Sequence, residues 1–300
     1  MEMQSLSSML LCADIGGTNM RLARIDSRKT VTHRHSVPTP VTSAKEFVST
    51  LTDLVLSMDE AIPALHISLA GLQDPETGRC HAANIPCLDG LPLASILTEH
   101  LGKEVRIAND ADCFTLAESR IGAGQDSQVV FGIILGTGVG GGLVLDGQLA
   151  TGPEGLIGEW GHGPFLRAGD SDYPYLPCGC GQTGCIDTIG GARGLEHLHR
   201  HVTAETATSL DIIARWTAGD RTVSETMRRY IAILSDALAC IINTTGAGCV
   251  PVGGGMSTVT SLIDELDRNV RDRILRHSTS PIIVKTKLGN DAGLIGASYL

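Results

Sequence analysis

Three cysteines and one histidine are spaced so that they can hold a single metal ion. Cys178, Cys180 and Cys185 form a C-x-C-x4-C cluster with glycines between the thiols, and His162 lies 16 positions before the first of them. One nitrogen and three sulfurs suit tetrahedral Zn²⁺, and a site with four protein ligands is structural rather than catalytic. The sequence therefore predicts a structural zinc site. The alternative for His162 is a histidine buried in the core.

Two acidic residues flank this predicted metal site. Glu159 precedes His162 by three positions, and Asp187 follows Cys185 by two. A carboxylate accepts charge-assisted hydrogen bonds from the hydroxyls of a polyol such as a sugar. A loop pinned by a metal ion would therefore present two acceptors to such a substrate.

A second kind of motif combines an acid with glycines at the end of a strand. Asp14 follows a short apolar run and precedes Gly16, Gly17 and Thr18. The backbone N–H groups of such a turn can approach a phosphate, the threonine adds a hydroxyl donor, and Asp14 can orient Mg²⁺, usually through water. The alternative is an ordinary hairpin turn with a solvated aspartate.

Two further glycine-rich turns can also bind a nucleotide. Gly136, Thr137 and Gly138 open the run 136–142, which is followed by neither the lysine of a P-loop nor a clear helix. A turn between antiparallel strands that donates N–H groups to a nucleotide fits this run better than a P-loop or a dinucleotide-binding turn.

The other turn contains Gly254, in a glycine triplet between a strand and a helix, where a flat ligand or an anion can approach closely. A flexible hairpin and a tight strand-to-helix turn are the structural alternatives.

Asn109 and Asp110 lie where a predicted strand ends and a helix begins, which is the usual position of catalytic groups in open α/β sheets. An aspartate there can accept the proton of a substrate hydroxyl that attacks phosphorus, in a reaction dominated by positioning and charge stabilisation. The alternative is that Asp110 only caps the helix at 111–120, a role that Asp112 can serve equally well.

Composition narrows the class of protein. The 300 residues carry a net charge of −10, which argues against a broad nucleic-acid surface. The nine cysteines are irregularly spaced, as in a reducing cytosol, and no signal peptide is visible. The uncharged stretch 129–145 contains six glycines, which indicates strand, turn and strand rather than a membrane span. We therefore expect a cytoplasmic protein that binds neither nucleic acid nor a membrane.

Strand and helix patterns alternate along the chain. Apolar and alternating runs predict strands at 10–13, 21–26, 30–37, 65–70, 105–108, 129–145 (a pair), 249–252 and 282–287. Helical spacing predicts helices at 43–57, 111–120, 189–202, 209–217, 223–246, 261–275 and 292–299. This alternation indicates α/β architecture, with a domain boundary near residues 110–125.

Taken together, these motifs resemble the ROK family of sugar kinases and sugar-responsive repressors. The combination of E-x-G-H at 159–162 with C-x-C-G-x-x-G-C at 178–185 is the most specific part of a resemblance that runs to the C-terminus. The resemblance implies an actin-like, ribonuclease-H-like α/β fold of two domains with the active site in the cleft. The small domain would span 1–115, completed by the helix in 288–300, and the large domain with its zinc loop 116–287.

The resemblance also implies an activity. ATP with Mg²⁺ would phosphorylate a hexose hydroxyl, normally O6, and the enzyme would be a homodimer. The stretch 70–165 favours N-acetyl-D-glucosamine as the acceptor, with fructokinase, mannokinase or glucokinase activity as alternatives. A repressor needs a helix-turn-helix domain before the first strand, and only 13 residues precede Asp14. A non-catalytic, sugar-responsive regulator is the remaining alternative.

Site residues are carried over from the family position by position. Asp110 resembles the catalytic base. The resemblance implies sugar contacts at Gly71, Asn84, Asn109, Asp110, Glu159, His162 and Asp187. The residues implied to bind ATP and its Mg²⁺ are Asp14, Gly16, Gly17, Thr18, Gly136, Thr137, Gly138 and Gly254. The residues implied to bind the structural Zn²⁺ are His162, Cys178, Cys180 and Cys185.

Two positions depart from the family pattern. The family's C-x-E is here Cys185-Ile186-Asp187, so the carboxylate is one methylene shorter. This change can alter sugar preference or admit a bridging water. Asp112 replaces a common asparagine outside the reacting groups, and we expect little effect on the chemistry.

Overall fold

The computed structural model describes residues 9–58 and 62–300 of the chain. These residues divide into two compact α/β units. The first unit holds the described residues up to Ala117 together with Ala150–Ile157 and Asn290–Leu300. The second unit holds Glu118–Leu149 and Gly158–Gly289.

The first unit is built on a five-stranded sheet with one small additional hairpin. The strands of the sheet are β1 (Leu10–Ile15), β2 (Asn19–Ile25), β3 (Val31–Pro38), β4 (Ala64–Leu69) and β7 (Glu104–Asn109), and β5 (Leu72–Gln73) pairs with β6 (Cys80–His81). The helices are α1 (Ala44–Met58), α2 (Leu93–Leu101), α3 (Asp110–Ile121), which runs on into the second unit, and α9 (Ala292–Ala297). The strand order is β3-β2-β1-β4-β7.

Pairing in this sheet places three parallel strand ends at one edge. β1 and β2 form an antiparallel hairpin, whereas β4 runs parallel to both β1 and β7.

Helix α1 covers the sheet with a stripe of buried residues at helical spacing, including Phe47, Leu51 and Val55. Ser43 caps α1, because its Oγ accepts the Glu46 N–H at 3.3 Å.

The second unit contains another five-stranded sheet, in the order β10-β9-β8-β11-β12. Its strands are β8 (Val129–Leu135), β9 (Val139–Leu145), β10 (Gln148–Leu149), β11 (Val250–Gly253) and β12 (Ile283–Lys285). Its helices are α4 (Asp187–Gly190), α5 (Ala192–Thr203), α6 (Ser209–Thr217), α7 (Ser224–Thr245) and α8 (Thr260–Arg271). The core of the unit is built around α7, whose Tyr230, Leu234 and Leu238 are fully buried.

The predicted α/β alternation is confirmed, but helix α2 and the short strands β5, β6 and β10 were not predicted. The helix predicted at 189–202 is two helices, α4 and α5, because Gly191 takes an extended conformation between them. A Cβ at Gly191 would collide with Thr137 O, so the break lets the chain pass close to the glycine turn. None of the described helices is long and apolar enough to cross a membrane.

Candidate active site and metal centre

Asp14 is held by the two strands that flank β1. Its Oδ1 accepts a hydrogen bond from Ser68 Oγ at 2.7 Å, and its Oδ2 is ion-paired with Arg21. The strand registers explain both contacts, because Asp14 pairs with Arg21 across the hairpin and with Ser68 on β4. A Cβ at Gly293 would lie only 2.7 Å from Asp14 Oδ1. The sequence analysis missed these three supporting residues.

The turn at 16–18 is closed by its own backbone and braced from outside. Gly16 N–H donates to Asn19 O at 3.0 Å, and the hydroxyl of Thr39 donates to Gly16 O at 2.7 Å. Within the described residues, the N–H groups of Gly17 and Thr18 have no hydrogen-bond partner. The turn therefore offers two adjacent backbone donors, as an anion site requires.

The predicted sugar contacts of the first unit lie beside this turn and at the end of β7. A Cβ at Gly17 would lie 2.9 Å from Asn84 O, so the two residues are immediate neighbours. The side-chain amide of Asn109 donates to Gly71 O at 3.1 Å. A Cβ at Gly71 would lie 2.7 Å from the backbone of the β5–β6 hairpin, at His81 O.

Asn109 also forms most of the cap of α3. Its Oδ1 accepts the N–H groups of Ala111 at 2.8 Å and Asp112 at 3.3 Å. Asp110 Oδ1 shares the Ala111 N–H at 2.9 Å. Asn109 therefore accepts two of the N–H groups at the helix N-terminus, and Asp110 shares one of them.

In the second unit, the turn between β8 and β9 has the same features as the turn at 16–18. Gly136 N–H donates to Gly138 O at 3.0 Å, and Gly136 O accepts the N–H of Ala192 at 2.8 Å. The N–H groups of Thr137 and Gly138 are without a partner in the part of the chain that the structure describes. Gly254, with φ +82°, packs against this turn, since its Cβ would lie 3.0 Å from Gly136 N.

His162, Cys178, Cys180 and Cys185 come together in one cluster. Their ligand atoms all lie within 4.8 Å of one another, with Cys178 Sγ to His162 Nδ1 at 3.5 Å and Cys180 Sγ to Cys185 Sγ at 3.7 Å. Zn–S bonds of about 2.3 Å at tetrahedral angles give S–S edges of about 3.8 Å. The donor set and its spacing therefore fit a four-coordinate zinc ion.

Hydrogen bonds and charges around the cluster favour the same conclusion. Gly163 N–H donates to Cys185 Sγ at 3.5 Å, and Glu159 Oε2 lies 3.6 Å from His162 Nε2, where a carboxylate orients a ligating imidazole. Burial raises the pKa of the Glu159 carboxyl. Burial also raises the pKa of the Cys178 thiol to about 12, whereas the Gln182 backbone lowers the pKa of Cys180. A bound cation would stabilise all of these sulfurs as thiolates.

Asp187 lies between this cluster and the glycine turn. Its Oδ1 accepts the Val139 N–H at 2.9 Å, and its own N–H donates to Gly161 O at 2.9 Å. The contact with Val139 was not predicted, because it joins segments that are 48 positions apart. No local pattern in the sequence signals it.

The sequence is similar to known proteins over nearly its whole length. Residues 10–300 match the ROK family. The chain is 34% identical over 294 residues to an N-acetyl-D-glucosamine kinase of Salmonella gallinarum, covering 96% of this chain and 97% of that protein.

Solved structures are similar to the chain over its whole length. A ROK hexokinase from Thermus thermophilus has a TM-score of 0.83 and 26% identity, with 96% of each chain covered. A ROK family glucokinase from Streptomyces griseus, in complex with glucose and AMPPNP, has a TM-score of 0.78 and 26% identity, with 97% of this chain and 98% of that chain covered. The predicted actin-like, ribonuclease-H-like kinase fold is thus confirmed. With a family match from residue 10 to residue 300, this chain belongs to the ROK family.

Proposed function

We propose that this chain is an ATP-dependent sugar kinase that phosphorylates a hexose at O6, with N-acetyl-D-glucosamine as the preferred acceptor. The observation that carries the proposal is the edge of the first sheet. Asp14 is near the end of β1, Asp110 directly follows β7, and β4 lies between the two strands. Neighbouring strands are about 4.8 Å apart, so these carboxylates start from backbones separated by roughly 10 Å, room for a phosphoryl group and its attacking hydroxyl.

Asp110 acts in this proposal as the catalytic base. Its carboxylate accepts the proton of the sugar hydroxyl as that oxygen attacks the γ-phosphorus of ATP, and ADP leaves. The sugar is held by hydrogen bonds from Asn84 and Asn109 and by close approach to the backbone at Gly71. On the second unit, Glu159, His162 and Asp187 complete the proposed set of sugar contacts.

Nucleotide binding is proposed for the glycine turns. Gly16, Gly17 and Thr18 bind phosphate through the threonine hydroxyl and the N–H groups of Gly17 and Thr18, which have no partner among the described residues. The proposed donors of the second unit are Thr137 and Gly138, with Gly136 and Gly254 permitting close approach. Asp14 would hold Mg²⁺ through water, and that ion would neutralise charge on the transferred phosphoryl group. The Cys/His cluster would hold structural Zn²⁺.

The choice of acceptor rests on the relatives. The N-acetyl-D-glucosamine kinase from Salmonella gallinarum shares 34% identity with nearly the whole chain, which supports this sugar over others. Glucokinase activity is the second candidate, since the Streptomyces griseus relative with glucose bound has 26% identity. We also propose a homodimer, which sedimentation analysis of the purified protein tests.

A steady-state panel of sugars tests the proposal. ADP release would be measured with N-acetylglucosamine, glucose, mannose, fructose, allose and N-acetylmannosamine, and the product of the best substrate located by NMR. We expect release that requires both ATP and sugar, with the highest kcat/KM for N-acetylglucosamine and phosphate on O6. A higher kcat/KM for another hexose would make that hexose the preferred acceptor in place of N-acetylglucosamine. If none of these sugars caused ADP release, the proposed kinase activity would be overturned and a non-catalytic regulator favoured.

A further inference from the structure

The carboxylate of Asp187 is bonded to the strand that leaves the glycine turn. Its Oδ1 accepts the N–H of Val139 at 2.9 Å, and Val139 is the first residue of β9, directly after Gly138. An ionised acceptor makes this bond stronger than a bond between two neutral groups. The exit of the turn is therefore fixed by a side chain from outside the hairpin.

The same residue is attached to the metal cluster by its backbone and by its sequence position. The N–H of Asp187 donates at 2.9 Å to the carbonyl of Gly161, which immediately precedes the ligand His162. Asp187 also follows Cys185 by two positions, and its Oδ2 lies 3.7 Å from Cys178 Sγ. Asp187 thus contacts one ligand, Cys178, directly, and is linked to His162 through Gly161 and to Cys185 through Ile186.

The carboxylate of Asp187 lies directly against the turn. A Cβ at Gly138 would collide with Asp187 Oδ1, and a Cβ at Gly161 would lie 3.5 Å from Asp187 Cβ. Trp160 Nε1 also donates to Gly140 O at 2.9 Å, but this bond lies beyond the turn at 136–138. We therefore expect displacement of the metal-binding loop to disturb the turn.

We propose that Asp187 is a positioning residue that transmits the order of the Cys/His metal site to the turn at 136–138, so that metal loss weakens nucleotide binding through this carboxylate. The inference rests on the proposed function, because it takes the turn as part of the nucleotide site. The N–H groups of Thr137 and Gly138 can converge on one anion only while the turn keeps its shape. The short aspartate suits the task, since a glutamate would push its carboxylate one methylene further toward Gly138.

Two perturbations combined in a cycle test the inference. The dissociation constant of a fluorescent ADP analogue would be measured for the unaltered protein and for Asp187→Ala, each zinc-loaded and after chelation. We expect Asp187→Ala to weaken binding about tenfold in the loaded protein, the value of one charge-assisted hydrogen bond. Chelation should weaken nucleotide binding by the unaltered protein by a similar factor. It should weaken nucleotide binding by Asp187→Ala by less than about twofold, because chelation and the substitution disrupt the same contact.

Three variants separate positioning from general damage to the loop. Asp187→Asn keeps an acceptor oxygen for Val139, so its nucleotide affinity should stay within about threefold of the unaltered protein. Asp187→Glu should weaken nucleotide binding although it keeps the charge. Asp170→Ala removes an exposed carboxylate of the same loop and should leave nucleotide affinity unchanged. Zinc content, measured for each loaded variant, should remain one per chain.

The inference would be overturned if chelation weakened nucleotide binding equally in the unaltered protein and in Asp187→Ala. It would also be overturned if Asp187→Ala left the nucleotide affinity unchanged. Absence of nucleotide binding in the unaltered, loaded protein would instead remove the proposed kinase. In that case amide hydrogen exchange at Val139 decides whether the coupling exists. Protection that is lost on chelation and in Asp187→Ala would support the coupling of metal site and turn, and equal exchange in all samples would refute it.

Discussion

Asp14 and Arg21 face each other across the β1–β2 hairpin, and their side chains form an ion pair at the edge of the first sheet. Ser68 holds the other carboxylate oxygen from the opposite side. The carboxylate is thus oriented by two strands before any ligand binds. Such preorganisation matters for a group whose proposed task is to hold a hydrated Mg²⁺ beside phosphate.

Replacing Arg21 by alanine should loosen the orientation of Asp14. We expect the KM for Mg-ATP to rise by about tenfold, while the KM for the sugar changes less than twofold. The lost contact orients Asp14, which is proposed to bind Mg-ATP rather than the sugar. Arg34→Ala is the matched control, since it removes an exposed ion pair with Asp291 in the same unit. Steady-state kinetics with varied Mg-ATP gives the answer, and equal effects of the two variants would contradict the assignment.

Replacing Asp110 by asparagine should abolish most turnover but preserve binding. The amide cannot accept the hydroxyl proton, so we expect kcat to fall by about 10²–10⁴-fold, with the sugar dissociation constant changed less than about threefold. Calorimetric titration of sugar and an ADP-release assay measure the two quantities. Asp112→Asn, two positions along α3, should leave kcat near normal. Near-normal turnover of Asp110→Asn would exclude the residue as the base.

Part of this site could be predicted from sequence because its signals are local. The turn at 16–18 and the Cys178–Cys185 cluster each lie within one short segment of the sequence. The contact of Ser68 with Asp14 needs the parallel register of β4, and the contact of Asp187 with Val139 needs the packed second unit. Such long-range contacts have no spacing rule.

The secondary structure shows the same division between local and long-range information. Strands and long helices with clear periodicity were predicted within a few residues of their observed bounds. Helix α2 was missed, because its nine residues begin directly after Pro92 and have no side-chain cap. The break at Gly191 was missed because it depends on the close approach of Thr137, which lies in another part of the chain.

Replacing Cys180 by serine should remove the metal and destabilise its loop. A hydroxyl is a poor substitute for a thiolate on zinc, and loss of one ligand from a structural site removes stabilisation of the folded loop. We expect one zinc per chain in the unaltered protein, less than about a tenth of that in Cys180→Ser, and a lower Tm. Elemental analysis and thermal denaturation test this.

Cys240→Ser is the control for that change. Cys240 is an exposed, free thiol outside the ligand set, so this variant should keep its zinc and its Tm. Full zinc occupancy in Cys180→Ser would show that the ligand set is wrong. Loss of zinc in both variants would instead point to a general effect of thiol removal.

Two neighbouring glycines of the turn at 16–18 should respond very differently to the same substitution. A Cβ at Gly17 would lie 2.9 Å from Asn84 O and 3.0 Å from Asn84 Cβ, whereas the nearest atom to a Cβ at Gly16 is 3.9 Å away. Gly17→Ala must therefore displace Asn84, a proposed sugar contact, at a cost of about 1–3 kcal/mol. We expect the sugar KM to rise about tenfold or more in Gly17→Ala, but less than about threefold in Gly16→Ala. Kinetics with varied sugar at saturating ATP compares them, and a larger rise for Gly16→Ala would mean that Asn84 does not bind the sugar.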